Sequence, residues 1–132
     1  VSEDVTDGRP LSPHISIWKW HPTMASSILH RASGVVVYIG VLKLCVVLFL
    51  LATGSAFLHT FDPLVFSPLG ALALFVFLWA LIYHFFNGIR HLIWDMGKGF
   101  DPRLANIWSL IIVASSLILA ALLVWRLIGG MS

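Results

Sequence analysis

The chain has 132 residues, of which 59% are hydrophobic and only 11% are charged, whereas a water-soluble domain averages about 25% charged. That deficit excludes an ordinary soluble fold and makes lipid the solvent for most of the chain. A formal net charge of +2, with the basic residues scattered singly, excludes a nucleic-acid surface, and the single cysteine, Cys45, excludes an internal disulfide or a CxxC redox pair.

Residues 1–8 carry Glu3, Asp4 and Asp7 and lack a basic segment followed by an apolar one, so they do not read as a signal or transit peptide. Residues 9–26 hold prolines at 10, 13 and 22 and tryptophans at 18 and 20. Prolines deny this stretch a continuous helix, and tryptophan favours the headgroup boundary, so residues 1–26 are expected to form an interfacial leader.

Three apolar runs follow, at about residues 32–53, 69–94 and 105–127. About 20 helical residues cover a hydrocarbon core of about 30 Å, and open sheet edges cannot face lipid. The expectation is an all-α membrane protein: one membrane-anchor domain over residues 1–132, with transmembrane helices at about 27–53, 69–94 and 105–127. Gly54-Ser55, Asp62-Pro63 and Ser67-Pro68 break the chain after the first span, and Gly97-Lys98-Gly99 and Asp101-Pro102 after the second. With three crossings, Arg9, Lys19, Arg31, Arg90, Lys98 and Arg103 fall on one side and only Arg126 on the other. The positive-inside rule then puts the N-terminus on the cytoplasmic or matrix side. Lys43, near the middle of the first span, fits neither end and snorkels or meets a partner helix.

Polar residues at membrane depth read as functional by default. The second span contains Tyr83-His84-Phe85-Phe86-Asn87-Gly88-Ile89-Arg90-His91-Leu92-Ile93-Trp94-Asp95, and His84 is its deepest histidine. A neutral imidazole is a good iron ligand that adds no charge to an apolar site. Ala80 and Gly88 stand one turn to either side of it, and a flat macrocycle needs that clearance. His91 lies about 10.5 Å further along the axis and cannot be the trans ligand of the same iron. A buried histidine bonded to a neighbouring helix is the competing reading of His84, and His91 and Asp95 read either as a pair four apart or as a solvated helix end.

At the start of the first span, Ser27 and Arg31 are one turn apart in Ser27-Ile28-Leu29-His30-Arg31. A hydroxyl beside a permanent cation suits a quinone carbonyl that gains negative charge on reduction, with Trp20 and Met24 as an apolar wall. The competing reading has Ser27 capping a helix and Arg31 reaching lipid phosphate.

Arg9-Pro10-Leu11-Ser12-Pro13-His14, Ser27 to Arg31 and His84 to Asp95 together resemble the signature stretches of one family, in order and over nearly the whole chain. It is the cytochrome b membrane-anchor subunit of succinate:quinone oxidoreductase, respiratory complex II. Trp18 stands where a tyrosine is common, and Ala32-Ser33 departs from the usual residues before Gly34.

The resemblance implies one haem b, ligated by His84 and shared with a second membrane-anchor subunit, with His30 and Arg31 near the haem propionates. It implies a ubiquinone site that includes Ser27, Arg31, Trp20, Met24 and Ile28. It also implies an iron-sulfur subunit that delivers electrons and a flavoprotein that oxidises succinate, in a bacterial or mitochondrial inner membrane. Nothing in this chain oxidises succinate, since it has no dinucleotide fingerprint and no cysteine set for clusters. The competing functions are a purely structural anchor without haem, the related anchor of a fumarate reductase and a small transporter. The transporter needs a continuous polar path that spans one and three do not offer.

Overall fold

The computed structural model describes residues 19–54, 56, 59, 62–65 and 67–129. Within them the chain forms four helices, α1 (Pro22–Ala52), α2 (Asp62–Val65), α3 (Pro68–Asp95) and α4 (Pro102–Gly129), and no strand. Three of these, α1, α3 and α4, are long and apolar enough to cross a membrane. The chain is an all-α membrane protein. The motif at Arg9 to His14, together with Trp18, lies outside the described residues.

Proline marks the beginning of each spanning helix. Pro22 and Pro68 occupy the first turns of α1 and α3, and α4 opens on Pro102, where the missing N–H has no partner to lose and the fixed φ suits the helix. Ser67 caps α3 by accepting from the Gly70 N–H at 3.1 Å. Asp101 caps α4 by accepting from the N–H groups of Arg103 at 2.8 Å and Leu104 at 3.1 Å. The expected leader is shortened as a result: α1 begins at Pro22, not near residue 27, because this proline starts a helix where the sequence reading took it to prevent one. The Asp62-Pro63 and Asp101-Pro102 breaks are helix starts for the same reason, and the first gives the short α2.

Gly97 and Gly99 have φ of 77° and 78°, a region open to glycine at no steric cost, and so turn the chain tightly from α3 into α4. The indole N–H of Trp94 donates to the Gly99 carbonyl at 3.0 Å and fastens that turn. α3 packs against both α1 and α4, and these two also touch each other.

The interior is made of small and polar residues. Ala80, Ala105, Ala120, Ser26, Ser33, Ser109 and Ser116 are all buried, while the large side chains of α1, such as Val35, Phe49 and Leu51, are exposed. Lipid is as apolar as leucine, so helices associate here by close approach and internal hydrogen bonds. Gly40 is a point of tight approach of α1 to α3: a Cβ at that position would overlap the Phe77 ring. Overpacking of this kind costs about 1–3 kcal/mol. Gly40→Leu should therefore lower the thermal midpoint of the detergent-solubilised protein, and Phe77→Ala in the same chain should recover most of the loss. Equal stability of Gly40→Leu and wild type would show that the contact is not tight.

Candidate functional site

Two polar clusters lie where α1 crosses α3. The first is a ladder of imidazoles. The ring of His30 from α1 stacks on that of His84 from α3, with centroids 4.2 Å apart and planes 20° apart, and on that of His91 at 5.1 Å and 27°. His91 also meets the edge of the Trp94 ring at 5.1 Å. It is thus drawn to His30 and Trp94, and no ion pair joins it to Asp95, which is exposed at the end of α3.

Nδ1 of His84 lies 3.2 Å from the His30 carbonyl oxygen and 3.3 Å from Oγ of Ser33. A carbonyl only accepts, so Nδ1 carries the proton and Nε2 keeps a lone pair. The ring can sit so close to α1 because residue 34 is glycine: a Cβ there would come within 3.0 Å of Cε1 of His84.

The neighbours taken from the sequence as clearing space around His84 divide. A Cβ at Gly88 would meet nothing within 4 Å, so open room lies beside that turn. Ala80 is 1% exposed and packs inside the bundle. Buried in the ladder, Nε2 of His30 has no hydrogen-bond partner among the described residues.

The second cluster joins all three spanning helices through Ser26. The Tyr83 hydroxyl donates to the Ser26 carbonyl at 2.9 Å, and Oγ of Ser26 is 2.9 Å from the same Tyr83 oxygen and 3.2 Å from Oδ1 of Asn87. Arg90 donates through one terminal nitrogen to Oγ of Ser26 at 3.1 Å and through the other to Oγ of Ser109 on α4. Ser109 in turn donates to the Ala105 carbonyl at 2.8 Å. The guanidinium also lies over the Trp94 ring, 4.6 Å from its centroid. Arg90 is only 6% exposed, so this cation, counted in the sequence towards a charged membrane face, is inside the bundle.

Sequence reasoning missed Ser26, Ser33, Tyr83, Asn87 and Ser109. A signal was present: Tyr83, Asn87 and Arg90 are spaced i, i+4, i+7 and share one face of α3. The serines gave none, because a hydroxyl in an apolar run reads the same whether it is buried or lipid-facing.

The residues taken from the sequence as quinone ligands lie on the opposite side of α1. Met24, Ser27, Ile28 and Arg31 follow at i, i+3, i+4 and i+7 on one face, with Met24, Ile28 and Arg31 exposed and Ser27 half-buried. Ser27 is inside the helix, since α1 is capped at His21, and it does not act as a cap. Trp20 is also exposed, and together with Ile28, Ser26 and Ser109 it lines a cavity of about 350 Å³ between α1 and α4. Ser27, Met24 and Arg31 do not line that cavity.

The two adjacent serines therefore differ in what they hold. Ser26→Ala removes the acceptor of an arginine donor and a partner of Asn87, and leaving such groups buried and unpaired costs about 1–3 kcal/mol. Thermal unfolding in detergent should show Ser26→Ala destabilised by that amount and Ser27→Ala nearly unchanged. Equal effects of the two would remove Ser26 from the centre of the network.

Residues 5–123 match the family described as succinate dehydrogenase/fumarate reductase transmembrane subunit. The chain is 46% identical over 101 residues to the mitochondrial succinate dehydrogenase cytochrome b560 subunit of Bos taurus, which covers 74% of this chain and 59% of that protein. It is 39% identical over 120 residues to the cytochrome b560 subunit of Homo sapiens, covering 88% of this chain and 70% of the relative. It is 36% identical over 123 residues to the succinate dehydrogenase cytochrome b556 subunit of Rickettsia typhi, covering 93% and 96%.

Proposed function

The chain belongs to the succinate dehydrogenase/fumarate reductase transmembrane subunit family, and from that premise we propose that it is an anchor that binds haem b through Nε2 of His84 and forms part of a ubiquinone-reduction site. The observation that carries the haem assignment is the hydrogen bond of His84 Nδ1 to the His30 carbonyl, which leaves Nε2 as the only ring atom able to ligate iron. The residues fit the group. Glycine at 34 lets the ring lie against α1, the turn at Gly88 is open, and the buried Nε2 of His30 has an unused hydrogen-bonding position for a propionate. Haem supplies one-electron redox chemistry when bound.

His30 stacks face to face on His84 and His91 stacks on His30, so neither ring would hold the same iron as His84. The second ligand comes from a second membrane-anchor subunit, which makes the haem shared. An iron-sulfur subunit and a flavoprotein complete the electron path from succinate. The assembly sits in a bacterial or mitochondrial inner membrane, with the start of α1 and the α3–α4 turn on the cytoplasmic or matrix side.

A reduced-minus-oxidised visible spectrum of the intact complex tests the haem. His84→Ala should abolish the six-coordinate low-spin signal, and His91→Ala should retain it. A low-spin haem that survives His84→Ala would exclude His84 as the ligand.

For the quinone, the outward face of α1 offers Ser27 as a donor to the carbonyl and Arg31 as a fixed charge, with Trp20, Met24 and Ile28 as apolar surroundings. A hydrogen bond to a charged group is worth about 1.5–3 kcal/mol, so Arg31→Leu should lower quinone reduction at least about tenfold while succinate oxidation with an artificial acceptor persists. Unchanged quinone turnover in assembled Arg31→Leu would place the site elsewhere.

A further inference from the structure

We propose that Ser33 is a positioning residue for the haem ligand: its hydroxyl and the His30 carbonyl together keep the proton of His84 on Nδ1 and strengthen Nε2 as a donor to iron. This rests on the reading of His84 as an iron ligand.

Ser33 is 4% exposed and faces two groups. Its Oγ is 2.8 Å from the His30 carbonyl oxygen and 3.3 Å from Nδ1 of His84. The carbonyl has no hydrogen to give, so the bond between Ser33 and His30 uses the one proton of the hydroxyl. What Oγ then presents to His84 is a lone pair. The His30 carbonyl, 3.2 Å from the same nitrogen, presents another. An unprotonated Nδ1 would face two acceptors and gain nothing from the carbonyl, whereas a protonated Nδ1 shares its hydrogen between both.

The consequence reaches the iron through the ring. An imidazole whose N–H is given to acceptors becomes a more basic ligand at its other nitrogen, and loss of such a partner typically costs about 10–100-fold in metal affinity or activity. A more basic axial nitrogen favours the ferric over the ferrous state. Gly34 is the steric counterpart, because a Cβ there would press on the ring that Ser33 orients.

The test is a potentiometric titration of the haem in the assembled complex, followed in the visible spectrum. Ser33→Ala should keep a low-spin haem but raise its midpoint potential, with the ferric-to-ferrous ratio at fixed potential falling about three- to tenfold; tenfold is about 59 mV for a one-electron couple. Ser33→Thr keeps the hydroxyl and should restore the wild-type midpoint. Should Ser33→Ala not assemble, Ser33→Cys, close in volume but a weak acceptor, should show the same rise. A purely structural role would change melting or assembly and leave the midpoint alone. An unchanged midpoint in Ser33→Ala, or in Ser33→Cys where it is the variant that assembles, overturns this inference alone when His84→Ala loses the low-spin haem. A low-spin haem that persists in His84→Ala overturns the ligand assignment and this inference with it.

Discussion

A helix built almost wholly of apolar residues has no preferred face in lipid, so its rotation about its own axis is set by the few polar atoms that must be paired inside the bundle. In α1 that constraint falls on Ser26. Its carbonyl and hydroxyl are both engaged by α3, through Tyr83, Asn87 and Arg90, and Arg90 carries the connection on to Ser109 of α4. Arg90 is a buried cation whose described partners are hydroxyls and an indole face, not a carboxylate. Its two terminal nitrogens are engaged by hydroxyls of α1 and α4, while Nε has no partner among the described residues; losing either hydroxyl would leave more of a buried charge unpaired, which ties the closure of the three helices to one side chain.

Once Ser26 faces inward, the rest of α1 follows by helical geometry. Ser33, two turns on, also faces α3, and with it the His30 carbonyl reaches the His84 ring. Met24, Ser27, Ile28 and Arg31 are carried to the outer face. Adjacent serines thus acquire opposite tasks, and a rotation of one residue, about 100°, would exchange them. The same setting brings Gly34 against His84, where an added Cβ would make a tight contact with the ring, and Gly40 against Phe77, where it would overlap the ring.

The number of candidate membrane spans was legible because length and apolarity decide it without reference to neighbours. The place of His84 within the second apolar run was legible by counting, and α3 carries it. The start of α1 was not read correctly, because Pro22 is compatible with either a break or a first helical turn, and only the helix that follows it decides. The inner network was partly legible in the i, i+4, i+7 spacing of Tyr83, Asn87 and Arg90, yet Arg90 reads equally well as a surface charge. Ser26 and Ser33 could not be told from Ser27 in the sequence alone, since hydroxyl chemistry is identical at the three positions and rotation is a tertiary property.

The outward residues carry a further consequence. In lipid, exposed Val35, Phe49 or Leu51 are at no disadvantage, but the half-buried Ser27 and the exposed Arg31 place polar atoms on the surface of the N-terminal part of α1. At 31 residues α1 is longer than the about 20 needed to span, so its first turns reach the headgroup region, where a cation meets phosphate and water at low cost. The imidazole ladder lies on the same stretch of helix, and among the described residues Nε2 of His84 is unengaged and Nε2 of His30 is buried without a partner. Buried unpaired donors remain in both clusters: among the described residues Nε2 of His30 in the ladder, and Nε of Arg90 and Nδ2 of Asn87 in the Ser26 network, find no hydrogen-bond partner. Because the ladder and the outward residues share this stretch of α1, a partner that covered this end of the bundle would reach both proposed sites at once, as a cofactor shared between two subunits requires.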